Sequence, residues 1–216
     1  MDEIKIETFH DFLDQFNVVG QGSLCRGVPD ESFNLTPSLF RSAKRDDYDA
    51  LEHNMLWIFK THAMAHLQNA PKSELEWLTI ARHHGLPTRL LDWSLSPLVA
   101  CFFAVKDAST VNGAVYVYDH RNFSKEEDIN LKTFDEIQVF IPSHATKRVA
   151  AQSGMFTVHP TNRKTLDNKK IKKIIIPGKR KNEFLKRLVK FGIHYGTVFP
   201  DLDGLSEYIK YLNFHD

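Results

Sequence analysis

The stretch HHGLPTRLLDWSLSPLVACFFAV, residues 83–105, runs from a dense polar cluster into the most apolar segment of the chain. Ser96 reads as a helix cap, with Pro97 in the first turn, where a missing N–H costs nothing. The following LVACFFAV is apolar on every side, which predicts a helix buried all round. Upstream, Ser73 with Glu76 forms a capping box that launches a helix through Leu75, Leu78 and Ile80 to about His84. Gly85 ends that helix and Pro87 prevents its continuation. Further out, Leu51, Met55, Ile58, His62 and Ala65 keep helical spacing within a segment from about Arg45 to Gln68, the longest helix expected. Thr8 caps a short helix over FHDFLDQF. The apolar SLCRG after Gly20 and Gly22 predicts a strand that carries Arg26 to its end. GAVYVYDH, EIQVFIP, GMFTVHP and IKKIIIP read as further strands. HATKRVAAQ reads as a helix, followed late in the chain by a basic helix near Lys179–Lys190 and a closing one near Leu205–Leu212. Helices dominate the first half and strands the second. The fold class this implies is α+β, a helical first half packed on a mainly antiparallel sheet.

At 216 residues, with 42% apolar and 25% charged residues, the chain fits one domain over residues 1–216 and neither a disordered nor a fibrous class. MDEIKIETFHDFLDQF begins acidic and lacks an apolar core, so no signal peptide is expected, and no 18-residue apolar window exists. Cys25 and Cys101 form no CxxC pair, which argues against a disulfide framework or a zinc site. Together these features point to a cytoplasmic protein without membrane contact. Charge is uneven: residues 163–190 hold 12 Lys and Arg against Asp167 and Glu183, while the net charge is +1. Such a segment can meet a polyanion, nucleic acid included; a solvated face is the plainer reading.

Two histidines, Arg89, Asp92 and Ser94 stand just before the apolar helix. Polar groups this close to a core must be paired, and an Arg89–Asp92 salt bridge is the simplest arrangement. The same density before a helix N-terminus also suits an anion site. His83 and His84 lack a carboxylate at ligand spacing, so no metal is expected. Ser94 has no nucleophile-elbow glycines, no phosphate-cradling Gly-rich loop exists, and no clustered acidic site supports a nuclease.

Arg26-Gly27, Pro37 to Arg41, His83 to Ser94 and Pro97 to Ala100 together resemble the FRG domain family, with Cys25 where the name-giving triplet has Phe. Arg148 to Phe156 and Phe199 to Leu205 resemble its later signatures. This resemblance implies a fold unit rather than a reaction. A weaker resemblance, to arginine–serine–glutamate mono-ADP-ribosyltransferases, rests on three features. Arg26 lies on a first strand, Asp92-Trp93-Ser94 stands before an apolar helix, and Gln152 precedes a late strand. It implies NAD as substrate and Arg26, Asp92, Ser94 and Gln152 as catalytic residues. It further implies cofactor contacts from Arg26, Gly27, His84, Thr88, Arg89 and Trp93, and transfer to a protein or nucleic-acid acceptor, as in toxins of that type. Arg26 would take the diphosphate by its planar fork, and Ser94 and Trp93 would flank the nicotinamide. The pattern calls for Glu where Gln152 stands, and an amide cannot stabilise a ribosyl cation as a carboxylate does. On this reading Ser94→Ala and Gln152→Ala leave folding intact and weaken NAD binding. The alternative is a non-enzymatic module that binds a nucleotide, nucleic acid or protein.

Overall fold

A computed structural model describes residues 1–17, 22–42, 47–107, 110–143 and 147–214. In chain order the elements are β1 (Asp2–Lys5), α1 (Phe9–Asp14), β2 (Leu24–Val28), α2 (Ser38–Ser42), α3 (Tyr48–Ala63), α4 (Glu74–His83), β3 (Leu90–Ser94) and α5 (Pro97–Val105). They continue with β4 (Gly113–Tyr118), β5 (Gln138–Phe140), α6 (Lys147–Ala151), β6 (Gly154–Val158), β7 (Ile171–Ile176), α7 (Lys181–Lys190), α8 (Tyr195–Val198) and α9 (Leu202–Phe214). The strands form one sheet in the order β1-β7-β4-β2-β3-β6-β5. Only β1–β7 is parallel; the remaining pairs are antiparallel. The fold is α+β.

The caps form where the sequence puts them. Thr8 accepts from the Asp11 N–H and Asp11 returns the bond, Ser73 accepts from Glu76, and Ser96 accepts from Val99. Glu76 completes its box one residue early, taking the Lys72 N–H at 2.5 Å rather than that of Ser73. The long helix starts at Tyr48, with Asp47 as cap. Arg45, Gly20 and His144 to Thr146, which figure in the sequence-based boundaries, lie outside the described residues.

Two strands escape the sequence reading. DEIK has no apolar alternation; β1 exists because it lies parallel to β7, with Ile4 opposite Ile174. Residues 90–94, read in the sequence only as part of the polar cluster before the apolar helix, are strand β3, paired with β6 from Leu90↔Val158 to Ser94↔Gly154. Strand alternation then sorts the segment: Leu91 and Trp93 enter the core shared with Leu24, Tyr116 and Met155, while Leu90 packs with α4 through Leu78 and Ala81. Arg26 sits mid-strand in β2 rather than at its end.

Helix α5 covers the other half of the sheet. Val99 to Phe102, Ala104 and Val105 are buried against Cys25, Val115, Val117 and Ile174, with α1 and α7 outside them. Phe103 stays partly open. The helix approaches β2 so closely that a Cβ on Gly27 would lie 1.8 Å from the Ala100 carbonyl oxygen, so only glycine fits there.

The expected Arg89–Asp92 bridge does not form. The two residues are an odd number apart along the chain and project to opposite sides of the strand. Arg89 instead meets the buried Glu52 of α3 through its Nε and its backbone N–H (2.7 Å), and Asp49 through Nη2 at 2.6 Å. Behind Trp93, its indole N–H donates to Thr157 Oγ1 at 3.0 Å. The Thr157 hydroxyl faces His159 Nε2 at 2.9 Å, and His159 Nδ1 faces the Lys164 carbonyl at 3.1 Å. Burial pushes the His159 imidazole down to about 4, against the pull of its bond to Lys164.

Removing either partner of the buried pair strands the other charge, so Glu52→Ala and Arg89→Ala should each cost about 3–5 kcal/mol in urea unfolding. Asp49→Ala, whose side chain is 65% exposed, should cost less than about 1 kcal/mol. For His159 the unfolded chain binds a proton that the folded chain refuses. Its contribution is complete above the ordinary imidazole value and is lost as pH falls toward 4, by up to about 3 kcal/mol. His159→Gln, which can keep both bonds without titrating, should flatten the unfolding free energy between pH 6.5 and 4.

Candidate functional site

β2 and β3 are joined by the single pair Cys25↔Ser94, although each matches its other neighbour over five residues. Beyond that pair they part. Arg26 shares strand parity with Leu24 and Val28, yet its Nη1 donates to the Asp92 carbonyl at 2.7 Å and lies 3.4 Å from Asp92 Oδ2. The side chain therefore passes through the opening between the strands. At this opening lies a cavity of about 350 Å³, walled by β2, β3, β6, α6, the open flank of α5 and the end of α4.

The cavity lining is strongly cationic. Arg26, Arg82 and Arg148 face it, with Asp92 as its single carboxylate. Arg82, in the last turn of α4, holds Asp92 through Nη2 (2.7 Å) and Nε (3.1 Å) and reaches Ser38 Oγ through Nη1 at 3.2 Å. Burial pushes the Asp92 carboxyl up, but Arg82 and Arg26 together outweigh it and hold it below the usual carboxylate range. For Arg26, burial and the nearby Arg82 and Arg41 outweigh Asp92 and lower the guanidinium. Its Nε is buried with no partner among the described residues. Arg148 is likewise lowered, chiefly by burial, and lies 4.5 Å over the Phe199 ring. Formally the lining carries, among the described residues, two more positive charges than negative ones. An anion offsets this excess, and guanidinium forks bind phosphate oxygens in pairs.

Ser94 has a different task from the expected one. Its hydroxyl donates to the Gln152 carbonyl at 2.6 Å and accepts from the Ser96 N–H at 2.9 Å, and the neighbouring Leu95 N–H donates to the Ser153 carbonyl at 3.0 Å. These bonds fasten the α6–β6 turn, where Ser153 takes a left-handed φ of 47°. The Gln152 side chain donates to the Val198 carbonyl at 3.2 Å.

Of the sequence candidates, the structure brings Arg26, Gly27, Asp92, Trp93, Ser94 and Gln152 to one cavity. Trp93 borders it, but its 3%-exposed indole packs in the core of the opposite face; Phe103 is the partly open ring. His84, Thr88 and Arg89 do not line it. Thr88 is fully buried and its hydroxyl accepts from Leu90 N–H, Arg89 is bound to Glu52, and His84 faces a separate apolar cavity. Arg82, His83 and Arg148 went unassigned in the sequence. Arg82 stands one residue before the polar cluster, and Arg148 opens the second quoted signature.

The family model of the FRG domain matches residues 22–113, so an FRG domain is present there. The match takes in Arg26, Arg82, Asp92 and Phe103 and ends before Arg148 and Gln152. No curated protein and no solved structure matches the chain.

Ser94→Ala leaves the Gln152 carbonyl and the Ser96 N–H each short of a bond and should cost about 1–3 kcal/mol. Gln152→Ala, losing one bond to Val198, should cost about 1 kcal/mol. Equilibrium unfolding of both variants checks the order.

Proposed function

We propose that the cavity recognises the diphosphate of an NAD-type dinucleotide. The observation that carries this reading is a lining that, among the described residues, holds three arginines against one carboxylate. A bridging diphosphate brings two negative charges, the number the lining leaves over. Arg26 and Arg148 are its donors, with Arg82 held beside them by Asp92. At about 350 Å³ the cavity is near the lower end of small-molecule sites, so it takes the diphosphate and one adjoining ribose and leaves the rest of the ligand at the mouth.

Transfer of ADP-ribose to an acceptor is the reaction the sequence resemblance implies. In it the bond from the ribose C1′ to nicotinamide breaks, nicotinamide leaves with the bonding electrons, and the acceptor bonds C1′ and gives up a proton. The developing ribosyl cation wants a free carboxylate. Asp92 is present but already neutralised by two arginines, and Gln152 is an amide. These features support recognition of the dinucleotide more strongly than its turnover. The contact of residues 163–190 with a polyanion has weaker support. Arg163, Lys173, Lys179 and Arg180 are paired with Glu136, Glu3, Glu7 and Glu183, and Lys181 is buried on the Pro29 carbonyl.

Calorimetry with ADP-ribose tests the reading. Binding is expected, with Arg26→Ala and Arg148→Ala each weakening it about tenfold or more, the effect of losing a charge-assisted bond. Absence of binding, or binding indifferent to both variants, would refute it. Nicotinamide release from NAD tests turnover separately: Gln152→Glu should raise it, and a slow wild type is compatible with tight ADP-ribose binding.

A further inference from the structure

A second cavity, of about 660 Å³, lies between α3 and α4. Its walls are apolar, with Phe59, Ile80 and Leu86 among them, and its polar groups are the imidazoles of His62, His66 and His84. Among the described residues no Asp, Glu, Lys or Arg lines it. The histidines do not form a metal site: among the described residues no group of three His, Cys, Asp or Glu can hold an ion. Trp57 and Ile58 of α3 and Met64 just beyond its end stand 62%, 46% and 50% exposed, and Ile58 belongs to the cavity lining.

A cavity of this size, mostly apolar with a few polar groups in its lining, has the make-up of a small-molecule site. Its polar chemistry selects the ligand's polar end. An ammonium group would find no carboxylate to pair with. An imidazole presents an N–H in its neutral form and two with a positive charge when protonated, so it meets a carboxylate in either state. A hydroxyl in the same place forms neutral bonds of about half the strength. We propose that this cavity binds an amphipathic monocarboxylate, with its apolar tail between α3 and α4 and its carboxylate at His62, His66 and His84. The site is separate from the arginine-lined cavity and does not depend on the reading given to that cavity. The two lie on alternate sides of one turn, since Arg82, His83 and Gly85 line the first while Ile80, His84 and Leu86 line the second.

Decanoate and 1-decanol, each below its aggregation limit, provide the test by titration calorimetry on the full chain. Decanoate should bind at one site per chain and at least about tenfold more tightly than decanol. The double variant His62→Ala/His66→Ala, both residues being exposed, should keep the fold and bring decanoate down to the level of decanol. Saturating pyrophosphate should leave decanoate binding unchanged. Absence of decanoate binding, equal affinity for the alcohol, an unaffected double variant, or displacement by pyrophosphate would each overturn the proposal.

Discussion

Asp92 sits between Arg26 and Arg82, and the candidate site depends on that clasp. Asp92 joins three elements: β2 through Arg26, which bonds its carbonyl and approaches its carboxylate, the end of α4 through Arg82 on the carboxylate, and β3 through its own backbone. Without it two guanidinium groups would stand close together with no carboxylate between them, and like charges repel. With it, β2 and β3 can part after one residue pair without exposing bare charge. The opening of the sheet and the pairing of the charges are two aspects of one arrangement.

The clasp also limits the chemistry. A carboxylate held by two arginines stays ionised at any ordinary pH, because Arg82 and Arg26 outweigh the cost of its burial. It is therefore a poor proton carrier, and its charge is already spent on its partners. The proposed recognition therefore rests on the surplus of positive charge, Arg26 beside Asp92 and Arg148 over Phe199. The FRG match covers the clasp but ends before α6, which brings Arg148 and Gln152 to the cavity. Ser94 ties the two regions together by bonding the turn that follows α6.

Much of this was legible in the sequence, and what was hidden shares a cause. Helix caps at Thr8, Ser73 and Ser96 are local events, decided within four residues, and they appear where expected. The apolar runs 113–118, 154–158 and 171–176 announce their strands in the same way. Strand β1 and the partner of Arg89 could not be read, because both are decided by residues far along the chain: Ile174 for Ile4, and Glu52 for Arg89. Asp92 was picked out correctly as a polar group needing a partner, but Arg89 was the nearest candidate only in sequence. Once residues 90–94 are a strand, alternation forbids that bridge and turns Asp92 toward Arg82. The bonds of Ser94 were hidden because its two backbone partners, Gln152 and Ser96, belong to turns that the sequence does not bring together.

The central claim is that an anion enters the opening between β2 and β3 and settles on the arginines around Asp92. A crystal structure with ADP-ribose bound would test it most directly. The account predicts the diphosphate against the Arg26 and Arg148 guanidinium groups, with the Asp92 clasp on Arg82 intact. Diphosphate density away from these arginines, for example along the lysines of residues 169–173, would contradict it.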